Sequence, residues 1–434
     1  MSGTRLPLPL VETRLDSGLR VLTAPLSTNR AALAVHVRTG SRFEPPELGG
    51  VSHFLEHMLH RGTPNYPSAY ALALAFEELG SELGAATYVD HGILYTEAPP
   101  ENLEAVIAVL GEVVRSPIYT EIETERGIVR EEILETLNDK GEPVDADELL
   151  ARLAFPEHAL GRPITGTIAA LDRFDVSTLR RFHEEHYGAE STVVSVSGPI
   201  DPARITRAVE RAFAGLPRHS TLPDRPPAPL VGPRVAYVAD PGSQTAVRLA
   251  FRAPAERDPL EPATEILSRV LSDGASTRLY HVVCDQRGLV YDISATYEAF
   301  ADSGLLEFAA DAAPERVIPL LETLFGVVRD LSENGPSAEE VLRVKRRFAW
   351  HTRALFDSPL DVVEFLGLAA LTDTTRDPWD RVAELERVPL EEVHRAAREV
   401  FTPENLALAV VGQLGKKRQK ELEELAQRFG AGTK

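Results

Sequence analysis

A proline-rich stretch near the middle of the chain places the strongest constraint on how the sequence can fold. Six prolines lie between Leu216 and Pro233. Proline lacks a backbone N–H donor and has a fixed φ angle, so this stretch belongs to neither a helix interior nor a sheet interior. The 434 residues are also too many for one ordinary core. We therefore predict two domains, residues 1–215 and 234–434, joined by a linker over residues 216–233.

The two halves repeat the same order of segments. The corresponding segments are 19–22 with 234–238, 32–37 with 246–251, 86–88 with 295–297, and 192–198 with 406–412. Such a repeat, about 200 residues long, indicates a duplicated unit. Within each half, hairpin-like strands mix with helical segments, so we predict an α+β fold of two homologous αβ sandwich halves.

Composition narrows the classes of partner. Lys and Arg number 46 against 66 Asp and Glu, giving a net charge of -20 that repels nucleic acids and anionic membranes. The single cysteine, Cys284, excludes an intrachain disulfide and a Cys-rich metal site. Residues 1–10 do not read as a signal peptide, and no run approaches the roughly 20 apolar residues of a membrane span. We expect no nucleic-acid or membrane partner and a cytoplasmic location.

The segment His53-Phe54-Leu55-Glu56-His57 carries the main chemical signal. We predict a helix here, with Ser52 as its capping residue. Residues four apart lie on the same face of a helix, so His53 and His57 can bind one Zn²⁺ together. Glu56 lies on the same side of the helix. The arrangement is the inverted form of the H-E-x-x-H motif of metallopeptidases.

These residue types predict hydrolysis by an activated water. Zinc lowers the pKa of its bound water to about 7. Glu56 is the predicted general base, which accepts the water proton and passes it to the leaving amine. The alternative is a surface helix that carries two histidines and a glutamate by chance. A second His- and Glu-rich segment, residues 183–186, has its histidines only three apart, and we interpret it as a solvated helix face.

A catalytic zinc site needs a third protein ligand from elsewhere in the chain. The best candidate region is the acidic helical run from Glu121 to Leu137. Within it Glu125 and Glu132 are seven residues apart, which places them two turns apart on one face, whereas Glu131 points in another direction. Acidic runs are more often solvated helix faces, so the run alone does not establish a ligand.

Several motifs together resemble the pitrilysin/insulinase family of inverted zinc metallopeptidases. They are His53 to Leu59, Arg61-Gly62-Thr63, Glu125 to Ile133, Gly40 to Pro46 and Gly161 to Gly166. The resemblance covers nearly the whole chain and is closest to the bacterial, mitochondrial-processing-peptidase-like branch. It implies that Glu132 is the third ligand of one zinc per chain. It also implies that Glu125 supports a histidine ligand from behind.

The resemblance also implies an architecture and a mode of substrate binding. In the family, two αβ halves enclose a chamber, and an extended peptide adds as a strand to a sheet edge near the zinc. By resemblance, the edge strand here covers about Leu83 to Tyr88. The family usually has asparagine after that leucine, whereas this chain has Gly84.

A second departure concerns the residues that hold the scissile carbonyl. The family usually supplies an Arg and a Tyr seven residues apart in the second half. Tyr291 matches the Tyr, but Cys284 stands where the Arg is expected. A thiol cannot replace a guanidinium as a charged donor, and neither Arg278 nor Arg287 obviously takes over. The second half also has no H-x-x-E-H segment, so we expect a single metal site.

The sequence therefore predicts a zinc metalloendopeptidase that acts on extended peptides. The zinc side is complete and the carbonyl-holding side is not. We expect a heterodimer with a homologous subunit that lacks zinc ligands and supplies the Arg/Tyr pair. The alternative assembly is a homodimer in which Cys284 is a small buried residue. The alternative functions are a non-catalytic assembly subunit of the same fold and a zinc hydrolase that acts on something other than peptides.

Overall fold

The computed structural model describes residues 9–218, 227–230, 232–374 and 377–431. The described residues fall into two units, each discontinuous in sequence. The first comprises the described residues within 1–133, 163–223 and 350–381, and the second comprises those within 134–162, 224–349 and 382–434. Part of the predicted linker, residues 219–226 and 231, lies outside the described residues. The domain boundaries at 215 and 234 stay a prediction.

The first unit is built on a mixed sheet. Its described strands are β1 (Val11–Arg14), β2 (Arg20–Pro25), β3 (Ala31–Val37), β4 (Gly84–Thr87), β5 (Gly92–Ala98) and β6 (Thr192–Gly198). They lie in the order β1-β2-β6-β3-β5-β4, so β4 forms an edge and, among the described residues, pairs only with β5. Every residue of β3 and β6 is buried, as expected for central strands with both faces covered.

The second unit repeats this sheet. Its described strands are β7 (Arg234–Ala239), β8 (Thr245–Ala253), β9 (Ser294–Ala299), β10 (Gly304–Ala312) and β11 (Leu406–Gly412), in the order β7-β11-β8-β10-β9. β7 runs parallel to β11 as β2 does to β6, and the other neighbours are antiparallel in both sheets. The shared order confirms the prediction of an α+β fold with two halves of one topology.

Helices cover the sheets and connect the strands. In the described part of the chain the α-helices are α1 (Val51–Leu59), α2 (Ala69–Glu78), α3 (Leu103–Arg115), α4 (Ile122–Glu135), α5 (Ala146–Ala154), α6 (Ile168–Leu171), α7 (Val176–His186), α8 (Pro202–Ala212), α9 (Glu261–Leu271), α10 (Val317–Asn334), α11 (Ala338–Leu355), α12 (Pro359–Leu371), α13 (Pro378–Arg387), α14 (Leu390–Val400) and α15 (Lys416–Ala431). Helix α8 is typical, because Ile205, Val209 and Ala212 are buried along one face. None of these described helices is long and apolar enough to cross a bilayer.

One helix on each sheet comes from the other half of the sequence. In the first unit α12 packs on β3 and β6, and its Val362 and Leu366 belong to the same apolar cluster as Leu22 and Val193. In the second unit α5 packs on β8 and β11, which correspond to β3 and β6. An apolar helix face fits either sheet, so the sequence pattern does not predict this exchange.

The prediction of a solvated face for residues 183–186 is wrong. His183 and His186 on α7 are both buried. His183 Nε2 donates to the carbonyl of Val114 and His186 Nδ1 donates to that of Phe182, each at 2.8 Å. An imidazole with a bonded ring nitrogen can be buried at little cost. The two glutamates between the histidines are exposed, so this segment has one buried and one solvated face.

Gly367 allows α12 to lie against the first sheet. A Cβ atom added at this glycine would overlap the imidazole of His36 on β3, which is buried. We therefore predict that Gly367→Ala lowers the free energy of unfolding by about 1–3 kcal/mol, the usual range for overpacking a core. The measurement is the shift of the thermal or urea unfolding transition.

Gly326→Ala on α10 is the matched control. Gly326 lies on an exposed helix face, and an added Cβ would meet no atom within 4 Å. Alanine there should be neutral or stabilise the chain by up to about 1 kcal/mol, because it favours helix more than glycine does. Equal destabilisation by both substitutions would contradict the role of Gly367 in packing.

Candidate metal centre

Tertiary contacts fix the start of α1, the helix that carries His53 and His57. The expected capping role of Ser52 is wrong, because Gly50 occupies the capping position and the helix begins at Val51, two residues earlier than a cap at Ser52 would place it. The φ angle of Gly50 is 92°, a left-handed conformation that favours glycine. The buried carboxylate of Glu44 accepts hydrogen bonds from the backbone N–H groups of Gly50 and Ser52, each at 2.8 Å. Glu44 thus satisfies free N–H groups at the helix terminus and complements its dipole.

Two helices bring the three predicted zinc ligands together. His53 Nε2 and His57 Nε2 on α1 lie 3.3 Å apart. Oε2 of Glu132, on α4, lies 3.7 Å from the first nitrogen and 3.8 Å from the second. These atoms form a group that could hold a metal ion. Within the described part of the chain, no second set of His, Cys, Asp and Glu side chains meets in this way.

The donor atoms fit zinc in both spacing and chemistry. A point equidistant from the three atoms in their plane lies about 2.1 Å from each, close to the roughly 2.0–2.2 Å of zinc–nitrogen and zinc–oxygen bonds. Oε2 of Glu132 is buried and has no hydrogen-bond partner. A buried carboxylate oxygen normally has one, so this atom is available as a ligand.

Electrostatics suit the roles that the sequence predicts. Burial, and then the neighbouring His57, lower the pKa of His53 to about 4. The ring is therefore neutral near pH 7, the form that binds metals. Burial raises the pKa of Glu56, while the hydrogen bond from Thr87 and the nearby His57 act in the opposite direction. The Thr87 hydroxyl, on β4, donates to Oε2 of Glu56.

Glu125 lies behind one of the histidines, where the resemblance implies it should be. Its Oε1 is 3.6 Å from Nδ1 of His57, the ring nitrogen that does not face Glu132. Arg61 holds this carboxylate, because its Nη2 donates to Glu125 Oε2 at 2.6 Å and its Nη1 donates to Glu121 Oε2 at 3.0 Å. A carboxylate at the second ring nitrogen fixes the orientation of a ligand imidazole.

Tyr291 and Cys284, which align with the family's Tyr/Arg pair for holding the scissile carbonyl, both lie in the second unit. Tyr291 has an almost fully exposed side chain and lines a cavity of about 440 Å³ together with Arg248 and Asp292. Cys284 is half-buried and packs against the core of this unit. Burial, followed by Asp292, raises the pKa of its thiol. Cys284 is therefore an uncharged packed side chain near pH 7.

Neither nearby arginine is placed to substitute for the missing guanidinium. Arg278 donates to Glu340 at 2.6 Å and to Asp330 at 2.5 Å. Arg287 donates to the hydroxyl of Thr323 at 2.5 Å. Among the described residues that line the cavity beside Tyr291, neither arginine occurs.

The glycine in the edge strand lies against the ring of a tyrosine on the neighbouring strand. β4 begins at Gly84, which pairs with Tyr95 of β5. A Cβ atom at Gly84 would overlap the Tyr95 ring. The ring of Tyr95 thus occupies the space that a side chain at residue 84 would need, so a larger residue there requires this ring to move.

Three residues of the centre were not assigned a role from the sequence. Glu44, Arg61 and Thr87 reach it through contacts 6 to 64 residues apart in the chain, and periodicity does not predict such contacts. All three lie in segments that carry the family resemblance. The resemblance could have pointed to these three residues, because it marks the segments that contain them. It does not show which side chains they contact.

Comparison with known protein families places most of the chain within two family descriptions. Residues 20–168 match the family described as insulinase (peptidase family M16), and residues 173–348 match the one described as peptidase M16 inactive domain. An uncharacterized zinc protease of Streptomyces coelicolor is 29% identical over 95% of this chain and 91% of its own length. Another, from Mycobacterium bovis, is 30% identical over 94% of both chains.

Solved structures share the fold. A protease from Helicobacter pylori superposes with a TM-score of 0.87 at 19% identity, covering 94% of this chain and 100% of that one. A peptidase M16 inactive domain from Pseudomonas fluorescens has a TM-score of 0.85 at 20% identity, covering 93% and 98%. At these identities the likeness concerns the fold alone.

The contact between Arg61 and Glu125 leads to a test of metal affinity. We predict that Arg61→Gln weakens zinc binding by about 10- to 100-fold, the usual effect of losing an outer support of a ligand. Without the guanidinium, the Glu125 carboxylate no longer stays fixed behind His57. The measurement is competition for zinc against a chromophoric chelator.

Arg130→Gln is the matched control, because Arg130 on α4 pairs with Asp172 and contacts no predicted ligand. Zinc affinity should stay within about twofold of wild type in this variant. Wild-type zinc affinity in Arg61→Gln would show that Arg61 does not support the centre.

Proposed function

Because this chain belongs to the insulinase family, peptidase family M16, we propose that it is a zinc-dependent endopeptidase with Glu56 as its general base. The observation that carries the proposal is the meeting of donor atoms from His53, His57 and Glu132 next to this carboxylate. The zinc-protease names of its relatives support the choice of metal.

The proposed roles follow from the contacts of each side chain. His53, His57 and Glu132 would hold one zinc ion and leave a fourth position open. When bound, zinc polarises a water molecule and lowers its pKa to about 7. Glu125, held by Arg61, keeps the His57 ring turned so that Nε2 faces the other two ligands.

Glu56 moves the proton in this reaction. Its Oε2 accepts the hydrogen bond from Thr87, so we assign the proton transfer to its other oxygen, Oε1. Hydrolysis joins the water oxygen to the carbonyl carbon and breaks the carbon–nitrogen bond. Glu56 takes one proton from the water on Oε1 and delivers it to the leaving amine nitrogen, so the carboxylate is regenerated in each cycle.

The edge strand supports extended peptides as the substrate class. Among the described residues, β4 pairs with β5 on one side only. Its other side presents backbone N–H and C=O groups that an extended peptide can pair with as an added strand. Such pairing uses the peptide backbone, so it depends only weakly on the peptide's sequence.

We further propose that the active form contains a homologous chain that lacks zinc ligands and supplies the Arg/Tyr pair. The packed, uncharged Cys284 supports this, as do the bonds that engage Arg278 and Arg287. A homodimer remains the alternative assembly. We also propose a cytoplasmic location, which the single cysteine of the sequence supports.

Glu56→Gln tests the proposed base. We predict about one zinc per chain in both wild type and variant, because the amide leaves the three ligands in place. Turnover of a quenched fluorescent peptide should fall by about 10²- to 10⁴-fold, the usual contribution of a general base. Zinc content is measured by mass spectrometry, and turnover is measured with and without a co-expressed homologous chain.

Glu131→Gln is the matched control, because Glu131 is an exposed neighbour of Glu132 on the same helix. It should keep wild-type zinc content and turnover. Equal turnover in Glu56→Gln and wild type would contradict the role of Glu56. A zinc-loaded wild type that is inert in every assembly would favour a non-catalytic subunit. Full turnover by the chain alone, as a monomer, would contradict the need for a partner.

A further inference from the structure

The strand at the sheet edge contacts the predicted base directly. Thr87 is the last residue of β4, and its hydroxyl donates to Oε2 of Glu56 on α1. The two residues lie 31 positions apart in the chain. This bond therefore joins two separate elements, the helix with the zinc ligands and the strand proposed to pair with the peptide.

The position of Thr87 is fixed by the turn that follows it. The backbone N–H of Tyr88 donates to the carbonyl of His91 at 2.8 Å, and that of Arg42 donates to the carbonyl of Val89 at 2.8 Å. The rings of Tyr88 and His91 stack with their centroids 4.5 Å apart. On the other side of β4, Thr87 pairs with Gly92 of β5. The hydroxyl is thus presented to α1 from a closed hairpin.

The bond restricts which oxygen of the base can take a proton. A carboxylate on a flexible glutamate side chain can present either oxygen in several rotamers. A donor on Oε2 selects one rotamer and leaves Oε1 free, and a general base must lie within hydrogen-bond reach of the proton it takes. Among the described residues, the Thr87 hydroxyl is a side-chain donor that bonds this half-buried carboxylate.

We propose that Thr87 is the positioning residue of the general base, so that the strand that docks the peptide also orients Glu56. The inference rests on the proposed function. Peptide pairing with β4 further restrains the backbone of Thr87, and through its hydroxyl the carboxylate of Glu56. Thr87 contributes to the rate of the chemical step and not to the affinity for peptide, because the backbone of β4 is the same whichever side chain residue 87 carries.

Two substitutions distinguish the effect of the Thr87 hydroxyl from the effect of side-chain volume. Thr87→Val removes the hydroxyl and keeps the shape, whereas Thr87→Ser keeps the hydroxyl. In the zinc-loaded full chain, in the assembly where wild type is most active, we expect kcat for a quenched fluorescent peptide to fall by about 10- to 100-fold in Thr87→Val. KM and zinc content should stay within about twofold of wild type. Thr87→Ser should stay within about threefold of wild type in kcat.

A second readout does not depend on activity. In the metal-free chain, Tm values of wild type, Thr87→Val, Glu56→Ala and the double variant form a cycle. If the hydroxyl and the carboxylate are bonded, the double variant loses less Tm than the two single losses combined.

The outcomes separate this inference from the proposed function. Wild-type kcat in Thr87→Val, or equal losses in the valine and serine variants, would overturn the positioning role. Additive Tm losses in an active enzyme would overturn it and leave the peptidase function intact. A wild type with no peptidase activity would overturn both the proposed function and the positioning role, even if the Tm cycle shows that Thr87 and Glu56 are hydrogen-bonded.

Discussion

Two imidazole nitrogens held 3.3 Å apart on one face of α1 are the constraint on which the rest of the centre depends. Whatever fixes this helix also fixes the site. At its start Glu44 bonds two backbone N–H groups of the first turn. Just after its end Arg61 bonds Glu121 and Glu125, at and near the start of α4. The helix that provides the histidines and the helix that provides Glu132 are therefore tied together by charged contacts.

The centre depends both on the spacing of residues within one helix and on contacts between residues far apart in the chain. The histidine pair is local, because its four-residue spacing alone places both rings on one helix face. Glu132 is distant in the chain, and its meeting with the pair depends on how α1 and α4 pack. The sequence run Glu121 to Leu137 offered several carboxylates, and the family resemblance selected one of them. The structure brings that carboxylate to the two imidazoles.

Local patterns in the sequence predicted the elements of the fold, whereas contacts between distant residues were missed. Alternating and apolar runs predicted the strands, and the repeat predicted two sheets of one topology, because strand patterns are local. The burial of His183 and His186 was missed because one ring nitrogen of each bonds a backbone carbonyl, that of Val114 or Phe182, and the charge pattern of the segment does not show these contacts. The capping of α1 was missed because the acceptor is Glu44, six to eight residues before the groups it bonds. Thr87 was missed because its contact with Glu56 crosses from strand to helix.

Departures from the family pattern have different physical meanings. At Gly84 the ring of Tyr95 occupies the space of a side chain, and the backbone of β4 pairs with β5. Cys284 is a packed thiol in the second unit and brings no charge. At residue 84 the backbone pairing of the strand is kept, whereas at residue 284 a thiol stands in place of the charged donor of the family pattern.

We propose that one zinc ion is held by His53, His57 and Glu132. Anomalous diffraction at the zinc absorption edge, from crystals of the zinc-loaded chain, tests it most directly. We expect one strong peak within about 2.0–2.2 Å of Nε2 of both histidines and Oε2 of Glu132. A peak at other residues, or no peak in a chain that contains stoichiometric zinc in solution, would contradict it.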